Sequence, residues 1–370
     1  MSVHGTARVS RLSRRALNRA LLHRQFLAER TGRTPLEVIT HLVAMQAQEP
    51  NWPYVGLWSR IAGFEHGHLH TLLEKRAVVR SALLRGTQHL TAADDFRRLR
   101  PVLQPVFDRT ARASHFARAG AGIDTDSLIA AGAEILAVGT LPRRELGRLL
   151  ASRYPGRDGR VLAGEVELRT PLVHTPETGA WGGWGTRSAV SVTRAEEWLG
   201  ASMEPAPAED LVRRYLAAFG PAGVMDVQAW SGLTRLREVI HEMRGELREY
   251  RDTEGRELFD LASSQELPDP DTPVPVRFLP AYDNVLLGHA DRARVIGDAD
   301  RKRVMPGRAV VLPTFLVDGF VHGTWSLKGV CLHIAPFRSL PAAGVRAVME
   351  EAERMLPFVG ASELSYGEAP

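Results

Sequence analysis

The feature that most constrains this fold is a pattern that recurs three times, in which short amphipathic helices precede two β-prone runs joined by a turn. In the first copy, apolar residues at helical spacing over 11–31 and a helix start at Thr34-Pro35 come before β-prone runs at 77–84 and 87–90. The later helices are predicted at 124–137, 142–152 and 161–168, and at 209–219, 224–230 and 235–244. Helices followed by a small hairpin are typical of a winged helix-turn-helix. We therefore predict three such units, at residues 1–120, 121–200 and 201–267.

The last hundred residues have a different character. The proline-rich segment 268–275 reads P-D-P-D-T-P-V-P, and its shortage of backbone donors disfavours regular structure. Strand-like runs follow at 276–279, 309–312, 314–317, 320–325 and 329–335, and a helix is predicted at 342–355. Asp318-Gly319 is a hairpin turn signal between two of these runs. The prediction for the whole chain is an α+β protein with three tandem winged helix-turn-helix units and a C-terminal small β-barrel at 268–370.

Charge is distributed unevenly along the 370 residues. Residues 1–118 hold 19 cations against 8 carboxylates, a net charge of +11, whereas the remaining residues carry −7. Of the 47 cations in the chain, 44 are arginine, which suits bidentate contact with phosphate better than lysine does. A basic block of this kind is typical of proteins that bind a polyanion. Nucleic acid is the predicted partner, and a solvated basic surface without a partner is the alternative.

Several classes of protein are disfavoured by what the sequence lacks. No apolar stretch approaches the ~18 residues of a membrane span, and the first ten residues form no apolar signal-peptide core. The single cysteine, Cys331, forbids an intrachain disulfide. The run E-H-G-H-L-H at 65–70 has no accompanying zinc motif, so a loop leading into a helix is favoured over a metal site. There is no Walker A loop, G-x-G-x-x-G motif or G-x-S-x-G elbow. We expect a soluble cytoplasmic protein, associated with the nucleoid, with no metal and no cofactor.

A set of local motifs resembles one family. The motifs are M-Q-A-Q-E-P at 45–50, Y-V-G-L-W-S-R at 54–60, R-G-T-Q-H-L at 85–90, G-P at 220–221 entering a helix that ends in Trp230, L-P-A-Y-D at 279–283, D-R at 291–292 and G-T-W at 323–325. Together they resemble the winged-helix DNA glycosylases of the AlkZ type, relatives of the bacterial YcaQ proteins, from about residue 10 to 355. The resemblance implies three winged helices scaffolded by a C-terminal β-barrel. It also implies excision of N7-alkylated guanine, including interstrand crosslinks, which serves as self-resistance in producers of DNA-alkylating antibiotics.

The catalytic signature of that family maps onto Gln46-Ala47-Gln48, with glutamine in the third position as in the AlkZ branch and not the aspartate of the YcaQ branch. The resemblance implies that Gln46 and Gln48 position water and stabilise an oxocarbenium-like transition state. An N7-alkylated guanine is already cationic and departs as a neutral base without an acid, so a carboxamide that orients water can suffice although it is a poor base. We predict the pair at the end of a helix over 36–46, before Pro50. Ordinary helix capping is the alternative.

Further residues are predicted to contact double-stranded DNA that carries alkylated guanine. They are Asn51, Tyr54, Arg80 and Arg85 in the basic third, the run Arg301-Lys302-Arg303 as a hairpin tip, and His322. A surface or core-rim role is the alternative for each. The Gly- and Trp-rich run 179–185 is predicted to be a wing packed on the core, with a base-stacking platform as the alternative.

We expect a monomeric, monofunctional glycosylase, because no lysine stands at the glutamine motif to form a Schiff base. The main alternative is a winged-helix transcriptional regulator without catalysis, since fold alone does not establish activity. Such regulators mostly bind as dimers with one unit per chain, which fits three units poorly. A winged-helix protein that binds another protein would leave the +11 block unexplained.

Overall fold

A computed structural model describes residues 10–113, 122–182, 184 and 189–367. The first part contains β1 (Arg11–Leu12), α1 (Arg14–Arg24), α2 (Pro35–Leu42), β2 (Met45–Gln46), α3 (Trp52–Trp58), α4 (His66–Glu74), β3 (Val78–Ala82) and β4 (Gln88–Ala92). Helices α5 (Ala93–Val102) and α6 (Gln104–Ala111) follow. Helix α2 begins where Thr34 and Glu37 form a capping box and Pro35 occupies the first turn, which confirms the predicted helix start.

The second part contains α7 (Thr125–Leu136), β5 (Leu141–Pro142), α8 (Arg143–Arg153), α9 (Gly159–Arg169), β6 (Leu172–His174), β7 (Ser191–Arg194) and α10 (Ala195–Leu199). The third part contains α11 (Ala208–Phe219), α12 (Val224–Ser231), α13 (Leu236–Glu242), β8 (Leu247–Asp252) and β9 (Glu257–Leu261).

The three parts share one order of elements: a helix, a short extended stretch, two helices and a two-stranded hairpin. In each, the short stretch pairs antiparallel with the second hairpin strand, as β2 with β4, β5 with β7, and a single bridge between Ala222 and Phe259 of β9. The first two hairpins join through Arg80 and His174 into a six-stranded sheet of order β2-β4-β3-β6-β7-β5. The third hairpin forms a three-stranded sheet with β1.

The C-terminal part is an open sheet covered by a helix. It contains β10 (Arg277–Leu279), α14 (Asn284–Leu287), α15 (Asp298–Val304), β11 (Thr314–Val317), β12 (Phe320–Lys328), β13 (Cys331–Pro336), α16 (Ala342–Val359) and β14 (Glu363–Tyr366). The sheet order is β10-β11-β12-β13-β14, and among the described residues β10 does not pair with β14. Helix α16 packs Val348, Met355 and Val359 against Phe278 and Phe315. The mixed α+β architecture is therefore confirmed, but the predicted small barrel is not closed, because α16 buries the face that closure would bury.

Many arginines of the basic third are paired with carboxylates of the acidic remainder. Arg60 and Asp283 form a bidentate pair at 2.8 and 2.9 Å, and both side chains are almost wholly buried. Further ion pairs join Arg15 and Arg19 to Asp318, Arg24 to Asp260, and Arg30 to Glu351. Part of the +11 block therefore holds the first unit onto the rest of the chain, and only the remaining cations are available to a partner.

No helix among the described residues has the length and apolar character needed to span a bilayer.

Candidate active site

The chain enters the site through a sharp turn after α2. Val43 has φ +69° and ψ −53°, a conformation that a β-branched residue rarely adopts and that costs roughly 1–3 kcal/mol. Two side chains from other elements hold the turn. Thr91 Oγ1 donates to the Val43 carbonyl at 2.7 Å, and Asn284 Nδ2 donates to the Ala44 carbonyl at 2.9 Å. The strained turn directs residues 45–48, called here the glutamine segment, along strand β4.

The glutamine segment is not helical, because α2 ends at Leu42 and strand β2 covers the first two residues of the segment. Gln46 pairs with His89, and the Ala47 N–H continues the ladder by donating to the Gln88 carbonyl at 2.9 Å. Alternate residues of an extended chain share a face. Burial alternates along the segment, because Gln46 is half-buried, Ala47 is buried and Gln48, which lies in a bend after β2, is exposed. The predicted helix end is wrong, and the two carboxamides instead stand on either side of a buried residue at the end of a short strand.

Arg85 fixes the orientation of the Gln46 amide. Its Nη2 donates to Gln46 Oε1 at 3.0 Å, and its Nη1 donates to the Trp230 carbonyl at the end of α12 at 2.5 Å. A guanidinium has no acceptor, so the amide oxygen must face it. The Gln46 Nε2 group makes no hydrogen bond to any described residue, so both its N–H groups remain available. Gln46 is thus positioned by Arg85, which lies in the hairpin turn of the first unit and is itself anchored to helix α12 of the third unit.

Arg80 supports the main chain of the glutamine segment from its other side. It is only 6% exposed, and it donates to the carbonyls of Ala47 at 2.9 Å and Gln48 at 3.3 Å. Its Nη1 lies 2.7 Å from His174 Nδ1, which must accept. Burial lowers the pKa of His174 to about 3, and the positive charges of Arg80 and Arg143 add to this lowering. The imidazole is therefore neutral at neutral pH. The prediction that Arg80 contacts DNA is therefore corrected, because its donors are used inside the protein.

Tyr54 and Asn51 also face the protein interior. Tyr54 is fully buried, its hydroxyl donates to the Gly179 carbonyl at 3.2 Å, and burial raises its pKa to about 12. Asn51 is 6% exposed and exchanges two hydrogen bonds with the main chain of Gly182, at 2.9 and 3.1 Å. Their predicted DNA contacts are wrong, because both side chains tie α3 to the segment around residue 180.

The predicted basic hairpin tip is the end of a helix. Arg301, Lys302 and Arg303 are exposed in the last turn of α15, and the Arg303 guanidinium lies 4.0 Å from the centre of the Phe337 ring. Their exposure leaves the predicted DNA contact open. His322 is different, because it is 7% exposed on β12 and its Nε2 donates to the Arg338 carbonyl at 3.1 Å. The prediction that His322 faces DNA is wrong.

Arg292 is a site residue that the sequence analysis did not assign. Burial lowers the pKa of Arg85 to about 10, and the positive charge of Arg292 adds to this lowering. Burial likewise lowers the pKa of Arg292, and the charge of Arg301 adds to it. The charge of Arg85 therefore interacts with that of Arg292, and the charge of Arg292 with that of Arg301; these three cations are called here the cation row. A bound anion would relieve the repulsion between them. The D-R dipeptide at 291–292 was the only sequence signal.

The site contains carboxamides, cations and one carboxylate. His89, opposite Gln46, is buried, and burial with the charge of Arg85 lowers its pKa to about 3. Burial lowers the pKa of Arg80 to about 10, and the charge of half-buried Glu49, next to Gln48, opposes this lowering. No sequence pattern assigned a role to Glu49. Neither His89 nor His174 is protonated at neutral pH, so neither can act as a general acid there.

The histidines of 65–70 lie in a helix and an aromatic cluster. His66 is the first residue of α4, and its ring stacks on that of Trp181. The centre of the His66 ring lies 4.1 Å from that of Trp181 and 4.2 Å from that of Phe358. In the part of the chain that the structure describes, no three His, Cys, Asp or Glu side chains are grouped to hold a metal ion. Two glycines of the predicted wing, at 183 and 185, lie outside the described residues.

The chain matches one family model and is similar to solved structures. A family model described as DNA glycosylase AlkZ-like matches residues 39–358. Among solved structures, Streptomyces sahachiroi DNA glycosylase AlkZ is similar, with a TM-score of 0.78 and 23% sequence identity over 97% of this chain and 100% of that one. At that identity the structural likeness shows the fold. A search among curated proteins finds no match.

Proposed function

The chain belongs to the AlkZ-like DNA glycosylase family, and on that premise we propose that it hydrolyses the N-glycosidic bond of N7-alkylated guanine in double-stranded DNA, including guanines joined in interstrand crosslinks. The observation that carries the proposal is the glutamine segment, in which half-buried Gln46 and exposed Gln48 flank buried Ala47 and Arg85 fixes the Gln46 amide. Repair of alkylation damage is the general role, and self-resistance to a DNA-alkylating natural product is the specialised one.

The absence of a protonated histidine beside the segment agrees with a cationic lesion. Hydrolysis of an N-glycosidic bond builds positive charge on the sugar and needs water at the anomeric carbon. A neutral base also needs an acid to leave, whereas an N7-alkylated guanine leaves as a neutral molecule. His89 and His174 have pKa values of about 3 and supply no proton at neutral pH. The protein then only has to position water and stabilise charge.

The hydrogen bond from Arg85 gives the two glutamines different tasks. Because Gln46 Oε1 already accepts from Arg85, Gln46 acts through its Nε2 donors, which stabilise the acceptor atoms of the departing base as they gain electron density. Gln48 is exposed and its carbonyl oxygen accepts a hydrogen bond from the attacking water. The same carbonyl dipole stabilises the oxocarbenium. Lys75, Lys302 and Lys328 are the lysines of the chain and none belongs to the glutamine segment, which supports a monofunctional enzyme.

DNA binding follows from the cation row and the repeated units. We propose that the three parts, 1–120, 121–200 and 201–267, are winged helices that present a concave surface to the duplex as a monomer. Arg292, Arg301 and the neighbouring Lys302 and Arg303 bind phosphates, which supplies affinity but no sequence specificity. Arg85, whose Nη atoms are occupied by Gln46 and Trp230, adds its positive charge to this attraction. A crosslinked base cannot be flipped fully into a pocket. The exposure of Gln48 suits an open cleft.

The test measures base release from duplexes that share one sequence and differ only in the lesion they carry. We expect release of the base from duplexes that carry 7-methylguanine or an N7 crosslink, and no release from duplexes that carry uracil or only normal bases. Robust release of uracil would contradict the chemistry, because a neutral base needs the acid that this site lacks. Tight binding to one undamaged sequence, with no release, would instead support a regulator, which prefers its site by about 10³-fold or more.

A further inference from the structure

We propose that a groove lined by tryptophans beside the glutamine segment binds the aromatic part of a bulky N7 adduct; this inference rests on the proposed function. The groove, called here the tryptophan groove, has a volume of about 440 Å³ and lies between the start of α3 and strands β12 and β13. One wall consists of Trp52, Trp184 and Trp325. Its volume falls within the range of roughly 300–1,000 Å³ that ligand sites occupy.

The three indoles offer apolar ring surface to the groove. Trp52 lies 5.0 Å from Trp184 and 5.7 Å from Trp325 between ring centres, at interplanar angles of 56° and 80°. Trp325 Nε1 donates to the Leu279 carbonyl at 2.9 Å, and Trp184 Nε1 donates to the Val359 carbonyl at 3.1 Å. These two polar edges are satisfied by main chain. Trp325 is buried, whereas Trp52 and Trp184 are half-buried, so two rings are open to a ligand.

The groove is within reach of the reacting bond. Trp52 follows Gln48 by four residues, which span at most about 14 Å even when fully extended. Asn51, between them, is hydrogen-bonded to Gly182, and this bond anchors the segment that carries Trp184. A substituent at N7 of a guanine placed at Gln48 therefore needs only a short link to bring an aromatic ring onto Trp52.

The rim of the groove suits a ligand attached to DNA. Thr324, Ser326, Lys328 and His333 line it, and the described residues around it include no carboxylate that would repel phosphate. Trp181 behaves differently, because it packs on Tyr54 and His66. The two tryptophans of the predicted wing therefore differ: half-buried Trp181 packs against the core, and Trp184 faces the groove as a stacking surface.

The test compares two adducts in one duplex sequence, 7-methylguanine and 7-benzylguanine, at enzyme concentrations below saturation. For the wild type we expect a higher second-order rate of release for the benzyl adduct once each is corrected for its spontaneous loss. Stacking on an indole is worth roughly fivefold to 150-fold, so Trp52→Leu should lower the ratio of the two rates about tenfold. Trp52→Phe fills similar space but keeps an aromatic ring, and it should retain most of the ratio.

Trp198→Leu is the matched control, because Trp198 is a half-buried indole that lies outside the groove, against Arg76. It should leave the ratio at the wild-type value. The groove proposal would be overturned if Trp52→Leu left the benzyl-to-methyl rate ratio unchanged, or if Trp52→Phe lowered that ratio as much as Trp52→Leu does. Neither result would affect the proposed glycosylase activity. Release of neither adduct by the wild type would instead overturn the proposed function.

Discussion

Replacing Gln46 and Gln48 by glutamate, one at a time, separates the tasks proposed for them. Gln46→Glu keeps the oxygen that accepts from Arg85 and adds a charge that pairs with it, but it removes both N–H donors. Gln48→Glu keeps the acceptor for water at an exposed position, where the carboxylate stays ionised. The same chemical change should therefore have opposite consequences two residues apart.

The size of the effect follows from the bond that is lost. A hydrogen bond between neutral groups contributes about 0.5–1.5 kcal/mol, and each 1.36 kcal/mol is a factor of ten in rate. Gln46→Glu should slow release of 7-methylguanine by roughly 2- to 13-fold for each bond lost. Gln48→Glu should react at least as fast as the wild type, because a carboxylate accepts from water more strongly than an amide does.

Single-turnover release at saturating enzyme measures this difference without a contribution from DNA affinity. Gln265→Glu, an exposed amide beyond the third unit, controls for the added negative charge and should not change the rate. Equal losses in Gln46→Glu and Gln48→Glu, or a slower reaction in Gln48→Glu, would refute the division of tasks that the Arg85 hydrogen bond implies.

Three further predictions concern the rest of the molecule. Arg292→Gln should reduce the slope of log K against log salt for binding to undamaged duplex by about 1, and an unchanged slope in anisotropy titrations would remove Arg292 from the DNA contact. His89 and His174 have pKa values of about 3 in the folded protein and about 6.5 in the unfolded chain. Between about pH 3 and pH 6.5, these two imidazoles are therefore protonated only in the unfolded chain. The free energy of unfolding should therefore fall as pH falls from 6.5, and a urea midpoint independent of pH would contradict this. Asp283→Asn leaves Arg60 buried without its ion-pair partner and should lower the free energy of unfolding by about 3–5 kcal/mol, measured by urea denaturation; a loss below about 1 kcal/mol would show that the pair is dispensable.

Local signals in the sequence predicted the elements that local chemistry decides. The capping box at Thr34 and Glu37 sets the start of α2. The Asp318-Gly319 turn signal joins strands β11 and β12, which pair antiparallel. In these places helix caps and turn residues determine the backbone without help from distant parts of the chain.

The glutamine segment was misplaced because its conformation depends on a distant partner. Apolar residues before it have helical spacing, yet the helix ends at Leu42 and two residues pair with β4, more than forty positions later. The turn at Val43 that allows this is held by Thr91 and Asn284, and no local pattern predicts a positive φ at valine.

The DNA contacts were mistaken where polar side chains found remote carbonyls. The Tyr54 hydroxyl reaches Gly179, 125 positions away, and His322 reaches Arg338. Sequence gives the polarity of such residues but not which carbonyl will lie beside them. The same holds for arginine, because Arg60 and Arg85 are equally basic in sequence, yet one is neutralised by Asp283 and the other lies in a row of cations.

The central claim is that the glutamine segment breaks the glycosidic bond of a cationic guanine. The most direct measurement is release of 7-methylguanine from duplex DNA, detected as abasic sites, by the wild type and by Gln46→Ala/Gln48→Ala, with both proteins shown to be folded and to bind the duplex. We expect abasic sites with the wild type and only spontaneous loss with the double variant. Equal release by both proteins would place the catalytic groups elsewhere. No release by the wild type from either this duplex or a crosslinked one would show that the chain is not a glycosylase for cationic guanine.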